Sequence, residues 1–236
     1  LLWHSLGSLM PRDPDRALAL AEQTQIPQLA DWIYWYATTL GDAPLARVVE
    51  RLERAGEEEQ KRLLAGLELG LKARAAVPPP ARWKSIASKL YASQDRAVVR
   101  RAEIVAAAFG DRSRFEGLRK SLAASQTEDA ARAHAFNVLS RAQDADSLPV
   151  FLALLNDSKY RARAIPVLGR YQSPRVAEEL LRHFNDFTPE ERNAALNVLA
   201  SRPAFANQLL DAVAAGTLKR EQLTAFHVRQ LTQLKN

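Results

Sequence analysis

The sequence predicts an all-α fold, a right-handed α-solenoid (superhelix) of stacked antiparallel helix pairs. Three observations predict it. An arginine returns at Arg100, Arg132, Arg161 and Arg192, at spacings of 32, 29 and 31 residues. Small or apolar residues follow each copy four and seven positions later, and a period near thirty filled with helical patterning marks a stacked helical repeat. Helix punctuation runs along the whole chain, with no strand-like alternation. The composition, 47% hydrophobic with 9 glycines in 236 residues, favours helix over sheet and allows a sizeable core.

The elements follow in order. Asp13-Pro14 is an N-cap with proline at the first helical position, opening a helix to about Gln23. Pro27 opens a second, ending near Leu40-Gly41, and Asp42 caps a third, to about Ala55-Gly56. Glu57, Glu58 and Glu59 sit in the first turn of a long helix to about Ala76, where negative charge complements the helix dipole. Val77-Pro78-Pro79-Pro80 breaks the helical run, because triple proline cannot continue a helix. Beyond it the helices pair: 81–91 with 95–109, 113–124 with 127–141, 146–156 with 158–170, 173–184 with 188–201, and 203–215 with 219–234. Asp111, Thr127, Asp146, Ser158, Ser173 and Thr188 are the expected caps, and Thr188-Pro189-Glu190-Glu191 reads as a capping box. Short links between helices of this length make antiparallel neighbours. The expectation is one helical-repeat domain over 1–236, with four irregular helices in 1–76 and five pairs in 81–236.

Composition narrows the chemistry. Cysteine is absent, which removes disulfides, thiolate metal sites, thiol nucleophiles and C-x-x-C-H haem attachment. The apolar residues come in short periodic groups, so no membrane-inserting helix is expected. Net charge is +6, with 33 basic and 27 acidic residues interleaved, and the pI is about 9.8. Nucleic acid, anionic lipid or an acidic partner suit such a balance, although a dedicated nucleic-acid binder concentrates its charge more. The chain opens on LLWHSLGSL, without Met or a secretory pattern, and the expectation is a segment of a longer polypeptide.

The repeat core resembles HEAT repeats, which have an arginine early in the second helix and small residues after it. Ala135, Ala164 and Ala195 stand three residues after their arginines, where the first copy has Glu103. HEAT repeats often carry an aspartate six residues before the arginine, making a ladder. Asp186 has that offset from Arg192, whereas Asp95 and Asp157 are out of step. The stretches DPDRALALAEQTQIP at 13–27 and LLDAVAAGTLKREQLTAFHVRQLTQL at 209–234 are similar to the putative membrane-bound dehydrogenases of planctomycete-type bacteria. In those proteins a helical region lies between a dehydrogenase-like β-propeller and a c-type cytochrome domain. The resemblance implies an envelope location and a role beside a redox enzyme. It places no catalytic, metal or cofactor residue in this chain.

Candidate interaction residues fall in two groups. Arg100, Arg132, Arg161 and Arg192 would form a row along one side of a solenoid. That row is either a basic strip for phosphate or carboxylate groups or a set of repeat-to-repeat hydrogen bonds near the loops. A residue needed once per repeat is most simply explained by stacking. Trp32, Trp35 and Tyr36, in WIYWY at 32–36, share a helix face. They serve either core packing or a partner surface of aromatic anchors. His4, His134, His183 and His227 have no ligand spacing on one helix, and the paired carboxylates fit helix starts. No P-loop, G-x-G-x-x-G or G-x-S-x-G occurs. The expected function is therefore a non-catalytic protein-interaction or spacer scaffold without cofactors. Its partners would be neighbouring domains of the same polypeptide. Two alternatives remain: a nucleic-acid-binding helical repeat, and a HEAT-like DNA glycosylase using Trp32 or Trp35 beside Asp31.

Overall fold

Fifteen α-helices and four short 3₁₀ turns are found among the described residues, and no strand. The computed structural model describes residues 2–72, 74 and 77–234, the backbone alone for 2–5. By internal contacts the chain divides into two compact units, Leu1–Glu116 and Gly117–Asn236.

The first unit holds α1 (Leu2–Leu9), α2 (Pro14–Gln23), α3 (Pro27–Thr39), α4 (Asp42–Arg51), α5 (Glu57–Lys72), α6 (Trp83–Tyr91) and α7 (Arg96–Ala108). The helix α1 has no capping signature and is not anticipated by the sequence, so the 1–76 stretch carries five helices rather than four. The expected end of α5 at Ala76 lies outside the described residues. Asp13 caps α2, accepting a hydrogen bond from Arg16 N at 3.0 Å, and Asp95 caps α7 by accepting from Ala97 N at 2.7 Å. Like helices pack on like: α3, α5 and α7 in one succession, α2, α4 and α6 in the other. This packing order of helix pairs runs through the stretch that lacks the arginine pattern. The core is Leu18, Ile33, Tyr34, Val48, Leu64, Leu67, Trp83 and Ile86, all buried.

The α3–α5 contact depends on two glycines inside a helix. A Cβ at Gly66 would lie 2.8 Å from Tyr34 Cβ and 2.9 Å from Trp35 N, and one at Gly70 would lie 2.5 Å from Thr38 Cγ2. Glycine in a helix interior costs about 1 kcal/mol against alanine. Here it lets the backbones of α5 and α3 meet.

The second unit is entered by α8 (Phe115–Ala123), whose first two residues belong to the first. It continues with α9 (Asp129–Ala142), α10 (Leu148–Ala153), α11 (Arg161–Leu168), α12 (Arg175–Arg182), α13 (Pro189–Leu199), α14 (Pro203–Ala214) and α15 (Ala225–Gln233). Again α11 packs on α13, and α12 on α14. Aromatic rings fill the core: Phe151 meets Phe136 edge-on at 5.6 Å, and Phe136 tilts against Tyr160 at 5.7 Å.

Two expected helices are broken. The segment 146–156 is α10 flanked by 3₁₀ turns at Ala145–Ser147 and Leu154–Asn156. The segment 219–234 is a 3₁₀ turn at Arg220–Gln222 followed by α15, because Thr224 starts a fresh capping box with His227. Among the expected caps, Thr188 forms its capping box with Glu191. The helices after Thr127, Ser158 and Ser173 instead begin later, behind Glu128, Tyr160 and Pro174. Asp111 accepts from Ser113 N in the turn before α8.

Candidate functional site

The repeat arginines sit at matching places in α7, α9, α11 and α13, but only three have resolved partners. Arg132 is 5% exposed. Its Nε donates to Leu122 O at 3.2 Å, at the end of the preceding helix, and its Nη2 donates to Asp157 Oδ2 at 2.7 Å in the turn of the next pair. The guanidinium lies 4.6 Å from the Tyr160 ring centre, a cation–π placement. Arg161 repeats the move: Nε to Leu155 O at 2.6 Å, and Nη1 to Asp186 O at 3.4 Å. Arg192 donates to Phe184 O at 3.1 Å and Asn185 O at 2.8 Å, both just before its own helix. Arg100 is half-buried, with no hydrogen bond or ion pair among the described residues.

Asp157 is thus a rung of the ladder although its spacing is out of step. Burial pushes its carboxyl upward, but hydrogen bonds from Arg132 and from Lys159 N hold it below the usual carboxylate range. Asp186 contributes through its backbone oxygen.

A second arginine series lies in the turns that close the second helices. Arg170 Nη1 donates to Ser140 O at 2.8 Å. Arg202 donates to Tyr171 O at 3.3 Å and also to Gly169 O. Cationic donors at helix C-termini satisfy carbonyls that lack intrahelical partners and complement the dipole. The signal is in the sequence, since Arg112, Arg141, Arg170 and Arg202 are spaced by 29, 29 and 32 residues, but it falls at the ends of helices: Arg141 in the last turn of α9 and the others just beyond α7, α11 and α13. Buried Asp144 reinforces the same region, accepting from Arg119 Nη1 at 2.6 Å and from Ser147 Oγ at 2.8 Å. The Tyr171 hydroxyl donates to Asp144 O at 3.2 Å. Burial, and then the Asp144 charge, push that hydroxyl up to about 12.

The WIYWY helix separates its aromatics. Ile33 and Tyr34 are buried, whereas Trp32 is 49% and Trp35 38% exposed. Tyr36 is half-buried, its ring 6.2 Å from Trp35. Tyr34 donates to Glu59 Oε1 at 2.9 Å. Burial and then that carboxylate raise its ionisation well above the usual tyrosine range. Ile26 before the helix and Leu69 on α5 are also exposed. At 100° per residue Leu69 falls beside the Gly66–Gly70 strip that meets α3, so exposed apolar residues flank the α3–α5 joint on both helices.

A groove of about 660 Å³ runs along α6. Pro79, Pro80, Trp83 and Ala87 form its apolar wall, and Tyr91 with the 111–114 turn closes its far end. It stands where the repeat departs from its own pattern: Glu103 replaces the alanine of the later copies. Buried Glu103 accepts from Arg114 Nε at 3.2 Å, and the Arg114 guanidinium lies 5.2 Å from the Tyr91 ring centre. Sequence reasoning notes Glu103 only as an exception to the alanine pattern. The turn it pairs with is eleven residues away.

The histidines do not converge. His183 stacks on Phe187, its ring atoms 3.8 Å from Glu179 and 3.7 Å from Asp186. His227 is buried, its Nδ1 accepting from Thr224 N at 3.2 Å and its Nε2 3.1 Å from Asn197 Oδ1. Because Nδ1 accepts, Nε2 carries the proton in the neutral ring. Burial holds His227 below the usual histidine range. Among the described residues no group of three or more His, Asp or Glu side chains could hold a metal ion. No helix among them is long and apolar enough to cross a membrane.

The arginines of the ladder, Arg132, Arg161 and Arg192, lie in the segment that matches a known family. Residues 115–200 match the family model described as HEAT repeats. This part of the chain is a HEAT-like helical repeat region. No curated protein matches the chain. HEAT repeats are in general non-catalytic and mediate protein interaction, and no catalytic family is indicated.

Proposed function

We propose that this chain is a protein-interaction scaffold that docks neighbouring domains of its own polypeptide at the cell envelope. The domains are a dehydrogenase-like propeller and a cytochrome c domain. The observation that carries the reading is how the side chains divide. Arg132, Arg161 and Arg192 are committed to helix joints, while Trp32 and Trp35 face outward on a helix. Aromatic anchors of this kind concentrate binding energy in protein interfaces. The identity of the docked domains rests on the end-motif resemblance at 13–27 and 209–234.

Two measurements test it. The coding sequence around the segment should carry a C-x-x-C-H haem motif beyond residue 236; its absence from both flanks would remove the redox role. Separately produced flanking domains should bind the chain in calorimetry, and Trp32→Ala with Trp35→Ala should weaken binding about tenfold or more. Undiminished binding would move the interface off α3. A nucleic-acid scaffold would draw on the net charge of +6. Duplex DNA titrated at two salt concentrations separates the readings, because phosphate contacts give a steep salt slope.

A further inference from the structure

The second unit turns an ordered row of hydrogen-bond donors outward on α9, α11 and α13. Arg163 and Arg170 are exposed, seven residues apart on one face of α11 and the turn that follows it. Neither has an acidic partner among the described residues. Both are held in place from α9. Arg163 Nη2 donates to Asn137 Oδ1 at 2.9 Å, with its guanidinium 4.2 Å from the Phe136 ring centre. Arg170 Nη1 donates to Ser140 O at 2.8 Å.

Two asparagines are oriented by what they accept. A guanidinium has no acceptor, so Asn137 presents its oxygen to Arg163 and its amide N–H groups to solvent. Asn197 is turned the same way by a longer relay. The Thr224 backbone N–H donates to His227 Nδ1, so the proton on Nε2 points at Asn197 Oδ1, 3.1 Å away. Asn137 is exposed, and Asn197 Nδ2 is not among the enclosed atoms. Neither amide nitrogen has a partner among the described residues. Both asparagines stand five residues after a ladder arginine, as does exposed Pro166 on α11. Asn137, Pro166 and Asn197 therefore hold the same repeat position on three successive second helices, with Arg163 and Arg170 on either side of the proline.

Such a row calls for acceptors that carry negative charge. Guanidinium groups take carboxylates in charge-assisted hydrogen bonds, and amide N–H groups take carbonyls. Side chains already fixed lose little freedom on binding. The acceptors within the row are used: both Oδ1 atoms and Ser140 O are taken, and the Ser140 hydroxyl donates to Asn137 O at 3.2 Å. Exposed carboxylates stand at the helix starts instead: Asp129 of α9, paired with Lys159, and Glu190 of α13. From Glu190 to Asn197 the helix rises about 10 Å. A duplex or a bilayer is broad enough to bring phosphates against these carboxylates; a single chain lying across the row is not. Packed helices lie about 8–10 Å apart, so three of them span about 20 Å, which about six residues of extended chain cover.

We propose that the exposed face of α9, α11 and α13 binds an extended acidic segment of a partner protein. Its carboxylates pair with Arg163 and Arg170, and its backbone carbonyls accept from Asn137 Nδ2 and Asn197 Nδ2. The inference rests on the scaffold reading and names a partner class for it, at a surface that reading does not use.

The test titrates the full ¹⁵N-labelled chain with capped hexaglutamate at low salt, with capped hexaglutamine and duplex DNA as comparisons. The Asn137 side-chain amide resonances are identified by their loss in Asn137→Asp. Hexaglutamate should move them, and hexaglutamine should not. Arg163→Gln with Arg170→Gln should weaken binding about tenfold or more. Arg175→Gln with Arg220→Gln, which removes the same charge elsewhere in the unit, should change it less than about twofold. Asn137→Asp still accepts from Arg163 but turns an oxygen toward the ligand, and should weaken binding about tenfold. Trp32→Ala should leave it unchanged. No movement with millimolar hexaglutamate, an equal response to hexaglutamine, or equal weakening by the two arginine pairs would each overturn the proposal. So would duplex DNA that binds more tightly through the same residues. Those outcomes leave docking of flanking domains on α3 standing, since that is read from the Trp32 and Trp35 variants.

Discussion

The two units stack helix pairs in the same order but join them by different chemistry. In Gly117–Asn236 the joints are arginines reaching backwards and forwards to carbonyls and to Asp157. In Leu1–Glu116 the joint between α3 and α5 is a pair of glycines that brings two backbones together. Elsewhere in this unit ion pairs link helices of the other succession, among them Arg51 with Glu22 and Arg82 with Glu53. Partly exposed pairs of that kind contribute little. The recurring arginine therefore reports one kind of joint rather than the architecture itself. A segment without it can follow the same packing order.

The largest expected effect breaks the arginine joint. Arg132→Ala removes two donors and leaves Asp157 and Leu122 O without their partner. The cost should be about 2–3 kcal/mol, below the value for a fully buried pair because Asp157 is partly solvated. Urea denaturation measures it, and hydrogen exchange should quicken in α9 to α11 while α3 and α5 are unchanged. Next comes the glycine joint. Gly66→Ala forces a Cβ against the Trp35 backbone and should destabilise by about 1–2 kcal/mol. Gly117→Ala, with open space around the new atom, should be neutral or stabilise by up to about 1 kcal/mol. Equal effects at the two glycines would remove the close-approach account.

A smaller, pH-dependent effect should appear in the second unit. The pKa of His227 is lowered in the folded state, so the unfolded chain binds its proton first. Stability is full above the unfolded value of about 6.5 and falls as pH drops below it, levelling once folded His227 is protonated. His227→Gln should flatten that limb of the stability profile. A limb that survives the substitution assigns it to other groups. The smallest effect sharpens the comparison from within the repeat. Arg100→Ala, with no resolved partner to lose, should change stability by less than about 0.5 kcal/mol. A cost matching that of Arg132→Ala would mean that the ladder continues through it.

The helices of the repeat are legible because Arg132, Arg161 and Arg192 stand early in helices whose apolar residues follow at four and seven. The joints are less legible, because they cross turns of unequal length. Asp157 lies four residues before Arg161 and Asp186 six before Arg192, so a fixed offset finds one rung and misses the other. The Arg170 and Arg202 series escapes for the same reason. Gly66 and Gly70 escape because a glycine's partner lies on another helix, which local pattern does not encode. At the α3 surface, the shared face of Trp32 and Trp35 can be read from 3.6-residue periodicity. Its exposure cannot, since the same pattern serves a buried stripe. The α6 groove is less visible still, with only Glu103 to mark it.

Most of the arginines in the second unit's joints grip main-chain oxygens: Leu155, Ser140, Phe184, Asn185 and Tyr171 all contribute a carbonyl rather than a side chain. Every residue type has that oxygen. A neighbouring helix can therefore drift in sequence without a matching change in the arginine that holds it. Duplication or loss of a whole pair would leave compatible contacts at the new seam. Lengthening by recombination is open to such a joint, whereas the Gly66–Gly70 contact needs its own shaped counterpart and would have to be inherited with α3.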